Sequence, residues 1–254
     1  MNTRSRLEAV VSSLPLLAAL AATPAHATVT ATQAGADSQT QAGVGAPDTV
    51  HYGASDRSLD VTADPYVQSK SDSRAERGLS QAIDSAAGAV QFASPGQADF
   101  FVRSSVNLDA VPGEFQFAAH GAASGSAFYD FSVSAESTLA LSFSAFSSGL
   151  ASAANSYVAL NLFDEHTHAY LRQGSIGGTG ALSFTVPAGH YGVTFIAFSE
   201  GAIPAHIGAN SQVASSATGN LSLSITTVPV PEPATAALMI FGLCAIAAAR
   251  RKVA

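Results

Sequence analysis

A mainly β protein, built as an antiparallel sandwich of jelly-roll-like character, is the fold class this sequence predicts. Three observations carry that expectation. Apolar residues recur with period two in several segments, Gly and Pro punctuate those segments at short intervals, and no amphipathic helical stretch interrupts them. Around this body the sequence places a leader at one end and an apolar segment at the other.

Residues 1–27 read as an export signal. Arg4 and Arg6 give a positive start, and residues 14–22 give a short apolar run. Ala25 and Ala27 are the small side chains a signal peptidase inspects, with cleavage expected after Ala27. Pro15 and the brevity of the run argue against a membrane helix here. Residues 28–80 are rich in Ala, Thr, Ser, Gln, Gly and Asp, lack Phe, and hold seven Leu or Val residues. So little apolar bulk predicts a low-complexity, largely disordered leader with one short strand near residues 58–62.

Residues 81–227 are the expected β-sandwich body. All 13 Phe residues outside the tail fall between Phe92 and Phe198, which places the core there. In chain order, strands are expected at residues 88–93, 99–106, 114–118, 128–133, 139–145, 157–163, 182–186, 191–199 and 221–225. The alternation is clearest where Leu139, Leu141 and Phe143 oppose Ala140, Ser142 and Ser144. It recurs where Leu221, Leu223 and Ile225 oppose Ser222 and Ser224. Ser94-Pro95-Gly96, Val111-Pro112-Gly113 and Pro187-Ala188-Gly189 supply turns. Residues 182–193 read strand, turn, strand. Over residues 128–198 the chain resembles small bacterial β-sandwich accessory domains of the pre-peptidase C-terminal type, in which that phrase is a closing hairpin.

Residues 228–254 form the tail. Pro231 and Pro233 lack backbone donors and fix φ, so the strip around Glu232 is expected to be extended and unpaired, as a processing enzyme's cleft requires. Residues 234–249 carry no charge and are apolar on every face, which is lipid-facing composition. At about 1.5 Å per residue they span roughly 24 Å, short of a hydrocarbon core of about 30 Å, so the basic end must snorkel or the bilayer thin. Arg250, Arg251 and Lys252 then stop the helix on the cytoplasmic side, leaving the body outside.

The Pro231-Glu232-Pro233 strip, the single apolar helix and the basic stop together resemble the PEP-CTERM sorting domain of exported proteins of Gram-negative bacteria. The resemblance covers about 25 residues of the tail. It implies recognition and cleavage by a membrane-embedded exosortase near Pro231-Glu232-Pro233, followed by release or transfer to the cell surface. It also implies association with exopolysaccharide or biofilm matrix. Many relatives place a Trp soon after the motif, where this chain has Thr235 and Ala236.

Charge and candidate chemistry limit what the body does. Without residues 1–27 and the tail from Ala234 the chain keeps 6 basic and 17 acidic residues, a net charge near −11 that disfavours nucleic acid and anionic lipid. The single cysteine, Cys244, lies in the apolar tail, so the body holds no internal disulfide. His166 and His168, beside Asp164 and Glu165, are weak metal-ligand candidates, because residues two apart on an extended strand point the same way. A solvated loop is the simpler reading of that cluster. His120, His190 and His206 show no acid or base partner in sequence, and no Gly-x-Ser-x-Gly, His-Glu-x-x-His or phosphate-loop pattern occurs. Asp130, Glu136 and Glu200 are the carboxylates to test for glycoside cleavage. No catalytic residue, cofactor or enzyme activity is expected. A carbohydrate-binding body would need an exposed aromatic platform, and with no Trp this falls to Tyr157, Tyr170 or Tyr191.

Overall fold

Long runs in which every second residue is apolar or small can bury that half only as pleated strands facing a second sheet. The computed structural model describes residues 27–45, 49–58 (backbone course only), 66–77, 80–111, 118–149, 154–204, 211–227 and Gly242. Among the described residues thirteen strands, numbered in chain order, form two antiparallel sheets. The first runs β10 (Ser175–Ile176), β8 (Ala154–Asp164), β12 (Gly189–Ile203), β6 (Ala119–Val133), β1 (Val29–Val44), β2 (Thr49–Ser58), with β9 (Ala169–Arg172) also on β8. The second runs β11 (Gly178–Val186), β7 (Ser137–Gly149), β13 (Ser211–Thr227), β5 (Gln97–Ala110), β4 (Ser80–Ser94), β3 (Tyr66–Arg77). From β5 onward the chain repeatedly crosses between sheets, as a jelly roll does.

The expected disordered leader is corrected. Residues 28–80 supply β1, β2 and β3, and β1 is an inner strand paired with β6 on one side and β2 on the other. Its inward residues Ala34, Ala36, Ser38, Thr40, Ala42 and Val44 are all buried, while Gln and Asp alternate with them on the outside. The period-two pattern was present in the leader, written in small residues rather than Leu and Phe. The boundary expected at residue 80 falls instead in the β3–β4 hairpin, and residues 28–227 make one compact unit. A second correction concerns residues 182–193. Their two strands are no hairpin, because β11 pairs β7 in one sheet while β12 pairs β6 and β8 in the other.

Small residues are needed because the two sheets touch backbone to backbone at a waist. A Cβ on Gly88 of β4 would lie 1.9 Å from the carbonyl oxygen of Ser126 on β6. A Cβ on Gly125 of β6 would lie 2.1 Å from the Ala87 oxygen and 2.6 Å from the Arg103 oxygen. Beside this crossing, hydroxyls bridge the sheets: Ser38 to Ser69 at 2.7 Å and Ser104 to Ser199 at 2.8 Å. The waist divides the interior. On one side lies a large cluster with the ring ladder Phe92, Tyr129, Phe131 and Tyr191, neighbouring centroids 5.4 to 5.9 Å apart. Tyr129 donates its hydroxyl to the Pro95 oxygen at 2.8 Å, and burial pushes that phenol up to about 12. On the other side lies a smaller cluster of Ala, Val, Leu108 and Ile203 with no aromatic ring.

The export-signal residues Arg4, Arg6 and Ala25 lie outside the described residues, as do Pro231, Glu232, Pro233, the apolar segment 234–249 apart from Gly242, and Arg250, Arg251 and Lys252. The expected strands at 58–62 and 114–118 and His206 also fall there, save Ser58, which ends β2, and Ala118. Among the described residues no helix is long and apolar enough to cross a membrane.

The waist makes a testable demand. Gly125→Ala drives a methyl into two carbonyl oxygens that cannot swing aside, and should cost about 3 kcal/mol or more. Gly177→Ala, where a Cβ meets nothing within 4 Å, should stay within about 0.5 kcal/mol of the parent. Denaturant unfolding of both variants reads the difference. Equal stabilities would mean that the sheets are free to part at this point.

Candidate functional site

The alternation that buries one side of β8, β12 and β6 leaves the other side as an open face. Register fixes its rows. Tyr157 of β8 lies beside Phe198 of β12, then Ser124 of β6 and Gln39 of β1; further along, Phe163 lies beside Gly192, Asp130 and Gln33. Tyr157 and Phe198 stack at 5.2 Å, and Tyr170 of β9 meets Phe163 at 5.1 Å. Six residues separate the two ring pairs along β8, roughly 20 Å at the usual rise. Asn155 donates to Glu200 at 3.1 Å at the far end of the face. The result is an extended surface of paired rings among amides, hydroxyls and carboxylates.

Of the three tyrosines expected as a platform, two fit. Tyr157 is 37 % and Tyr170 53 % exposed. Tyr191 is buried in the core and donates its hydroxyl to the Pro187 oxygen at 3.0 Å, so it serves the corner between β11 and β12. Phe198 and Phe163 were missed as partners; pairing of β8 with β12, which sequence does not show, brings Phe198 to Tyr157.

The Glu165 to His168 segment is a turn rather than an extended strand, so the geometry behind the metal expectation does not hold there. Asp164 accepts the backbone N–H of His166 at 2.9 Å and of Thr167 at 3.2 Å. Partial burial works to raise this carboxyl, but those bonds outweigh it and hold the group below the usual carboxylate range. His168 adopts φ 54° and leans its ring on Phe163 with centroids 6.4 Å apart. Among the described residues no three of His, Cys, Asp and Glu converge as a metal site.

The carboxylates set for glycoside cleavage are not brought together as a pair. Asp130 sits in register with Gly192, and Glu200 lies eight residues further along β12, roughly 26 Å away at strand rise, against the ~5 to 9 Å that such catalysis needs. Glu136 lies in the exposed turn between β6 and β7. Asp130 is pushed up to about 6, first by burial and then by the neighbouring charge of Glu165. On the outer side of the second sheet an open groove of about 520 Å³ is floored by small residues such as Ala140, Ser142, Ala181 and Ser183, where Ser222 donates to Asp99 at 2.6 Å.

Among the described residues, Asp84 of β4 is the one buried carboxylate aimed into the small cluster. Its side chain occupies the space that a Cβ on Gly121 would need, 2.5 and 2.7 Å from the two oxygens. Neither oxygen has a hydrogen-bond partner of good geometry; the Ala122 N–H favours the charged form only weakly. Burial therefore pushes Asp84 up to about 8.

The PEP-CTERM protein-sorting motif matches residues 229–252. The class follows from that match: this chain carries the sorting signal of an exported protein handled by an exosortase. The motif covers the tail alone, and no curated protein matches the chain. Among solved structures, the GH31 alpha-xylosidase from Xanthomonas citri aligns at 7 % identity and a TM-score of 0.18, over 72 % of this chain and 38 % of that one. A likeness that weak carries no argument about fold or activity.

Asp84 gives a pH test. The folded state holds its proton more tightly than the unfolded chain, so the group's contribution is complete below about pH 3.8 and is lost as the pH rises towards about 8. Asp84→Asn should raise the melting temperature at pH 7.5 by roughly 5 °C or more and leave it little changed at pH 3.5. Parallel melting curves for parent and variant across that range would show that Asp84 is solvated.

Proposed function

We propose that this chain is a non-enzymatic exported protein whose β-sandwich is delivered to the cell surface or extracellular matrix, where it takes part in exopolysaccharide or biofilm structure. The match of residues 229–252 to the sorting motif carries this reading. Signal peptidase acts after Ala27, the apolar segment 234–249 holds the precursor in the inner membrane with Arg250, Arg251 and Lys252 inside, and exosortase cuts near Pro231-Glu232-Pro233. The acidic body, near −11, resists adhesion to anionic lipid and nucleic acid during and after this passage.

A second reading rests on the Tyr157–Phe198 stack and the Phe163–Tyr170 pair. Rings spaced along a flat face among Ser, Thr, Asn and Gln side chains suit an amphipathic, hydroxyl-rich polymer, and the negative body favours a neutral polysaccharide over an acidic one.

Glu232→Ala should leave an uncut, membrane-retained precursor, read by the mass of the mature protein and by cell fractionation; normal maturation would refute the sorting reading. Tyr157→Ala with Tyr170→Ala should weaken binding to a neutral polysaccharide by about tenfold in affinity electrophoresis. Parent protein that binds no glycan on an array would remove the second reading and leave the first intact.

A further inference from the structure

Two sheets have four borders, and three of them carry charge or are broken. β3 alternates Lys70, Asp72, Arg74 and Glu76 on its exposed side, with ion pairs Lys70–Asp72 at 3.0 Å and Arg74–Glu76. β2 carries Asp56 and Arg57. The β9 and β10 border is broken into pieces of four and two residues and bears Arg172. These are the usual means by which a sheet edge is kept from meeting another strand.

β11 has none of them. Its nine residues, Gly178–Val186, contain no charge and no Pro. Its ladder with β7 runs without a register shift from Gly178↔Ala145 to Val186↔Ser137, so no bulge twists the border away. Neither β7 nor β13 behind it holds a charged residue, so a three-strand half of the second sheet is neutral in a body near −11. Elsewhere the body's charge repels a second copy; at this border it does not.

We infer that β11 is a strand-addition surface whose occupant is β11 of a second copy of this chain, paired antiparallel about Leu182 so that the two second sheets join into one. A two-fold pairing sets Leu182 against its own copy, Ala181 against Ser183, Thr179 against Thr185, and Gly180 against Phe184. Each meeting joins like residues or sets a small residue against one of similar or larger size, and none opposes charges. Leu182 and Phe184, half-buried at the rim of the large cluster, become covered on their open side.

Sedimentation of the matured, exported protein over a concentration series tests this. A monomer–dimer equilibrium is expected, and Ala181→Lys with Ser183→Lys, both exposed positions, should raise the dissociation constant by at least about tenfold with an unchanged circular dichroism spectrum. Gln68→Lys on β3 should leave it unchanged. As a test of register that does not rely on the lysines, a mixture of Ala181→Cys and Ser183→Cys chains should cross-link under mild oxidation more completely than either alone. A protein that stays monomeric throughout, a dimer indifferent to the lysines, or a foreign strand in place of the second copy would overturn the inference.

Discussion

The contact of backbone with backbone at Gly88 and Gly125 governs the rest of the molecule. Facing sheets normally stand about 10 Å apart because side chains fill the space between them. Here a crossing leaves no room even for a methyl group. Residues around it must be small, and serines serve because their hydroxyls then reach across to one another, as Ser38 reaches Ser69 and Ser104 reaches Ser199. Large rings are confined to one side of the crossing and Ala and Val fill the other. The composition that looks too poor to form a core is the composition this waist requires.

The same reasoning explains which parts of the fold were legible. Strands rich in Leu and Phe, such as those around Leu141, Phe195 and Leu223, announce themselves by period two and lie in the core as expected. β1 and β3 follow the same period with Ala and Ser as their inward residues, and a reading based on apolar bulk passed over them. The 182–193 phrase failed for another reason. A turn between two strands is a local fact, whereas the choice between folding back on the same sheet and crossing to the other depends on partners far away in sequence, here β7 and β6. Tyr191 shows the same limit. Its side of the strand was readable, but that this side faces inward followed only from the sheet it joined.

Surface chemistry divides along the two sheets. The outer face of the first carries paired rings among amides and carboxylates, and Asp130 there is raised by burial and by Glu165. The strands β11, β7 and β13 of the second carry Ser, Thr and Ala without a charge. An acidic surface spread evenly would keep copies apart everywhere. Gathering the charge elsewhere leaves one region open to approach while the remainder keeps the protein dispersed.

Cohesion in this body is non-covalent, since its sequence offers no cysteine before Cys244. Stability then rests on burial and on long hydrogen-bonded ladders, and the inner strands accordingly run from 13 to 17 residues in the second sheet's β7, β5 and β13. Long ladders have long borders, and a long border presents unpaired backbone groups in proportion to its length. A protein stabilised in this way must therefore either guard each border or use it. β3 bears a charge at every second position from Lys70 to Glu76, while β11, equally continuous, is left bare. The difference between the two ends of one sheet is not a by-product of composition, because Lys, Arg, Asp and Glu are present in the body and are placed at one end and withheld from the other.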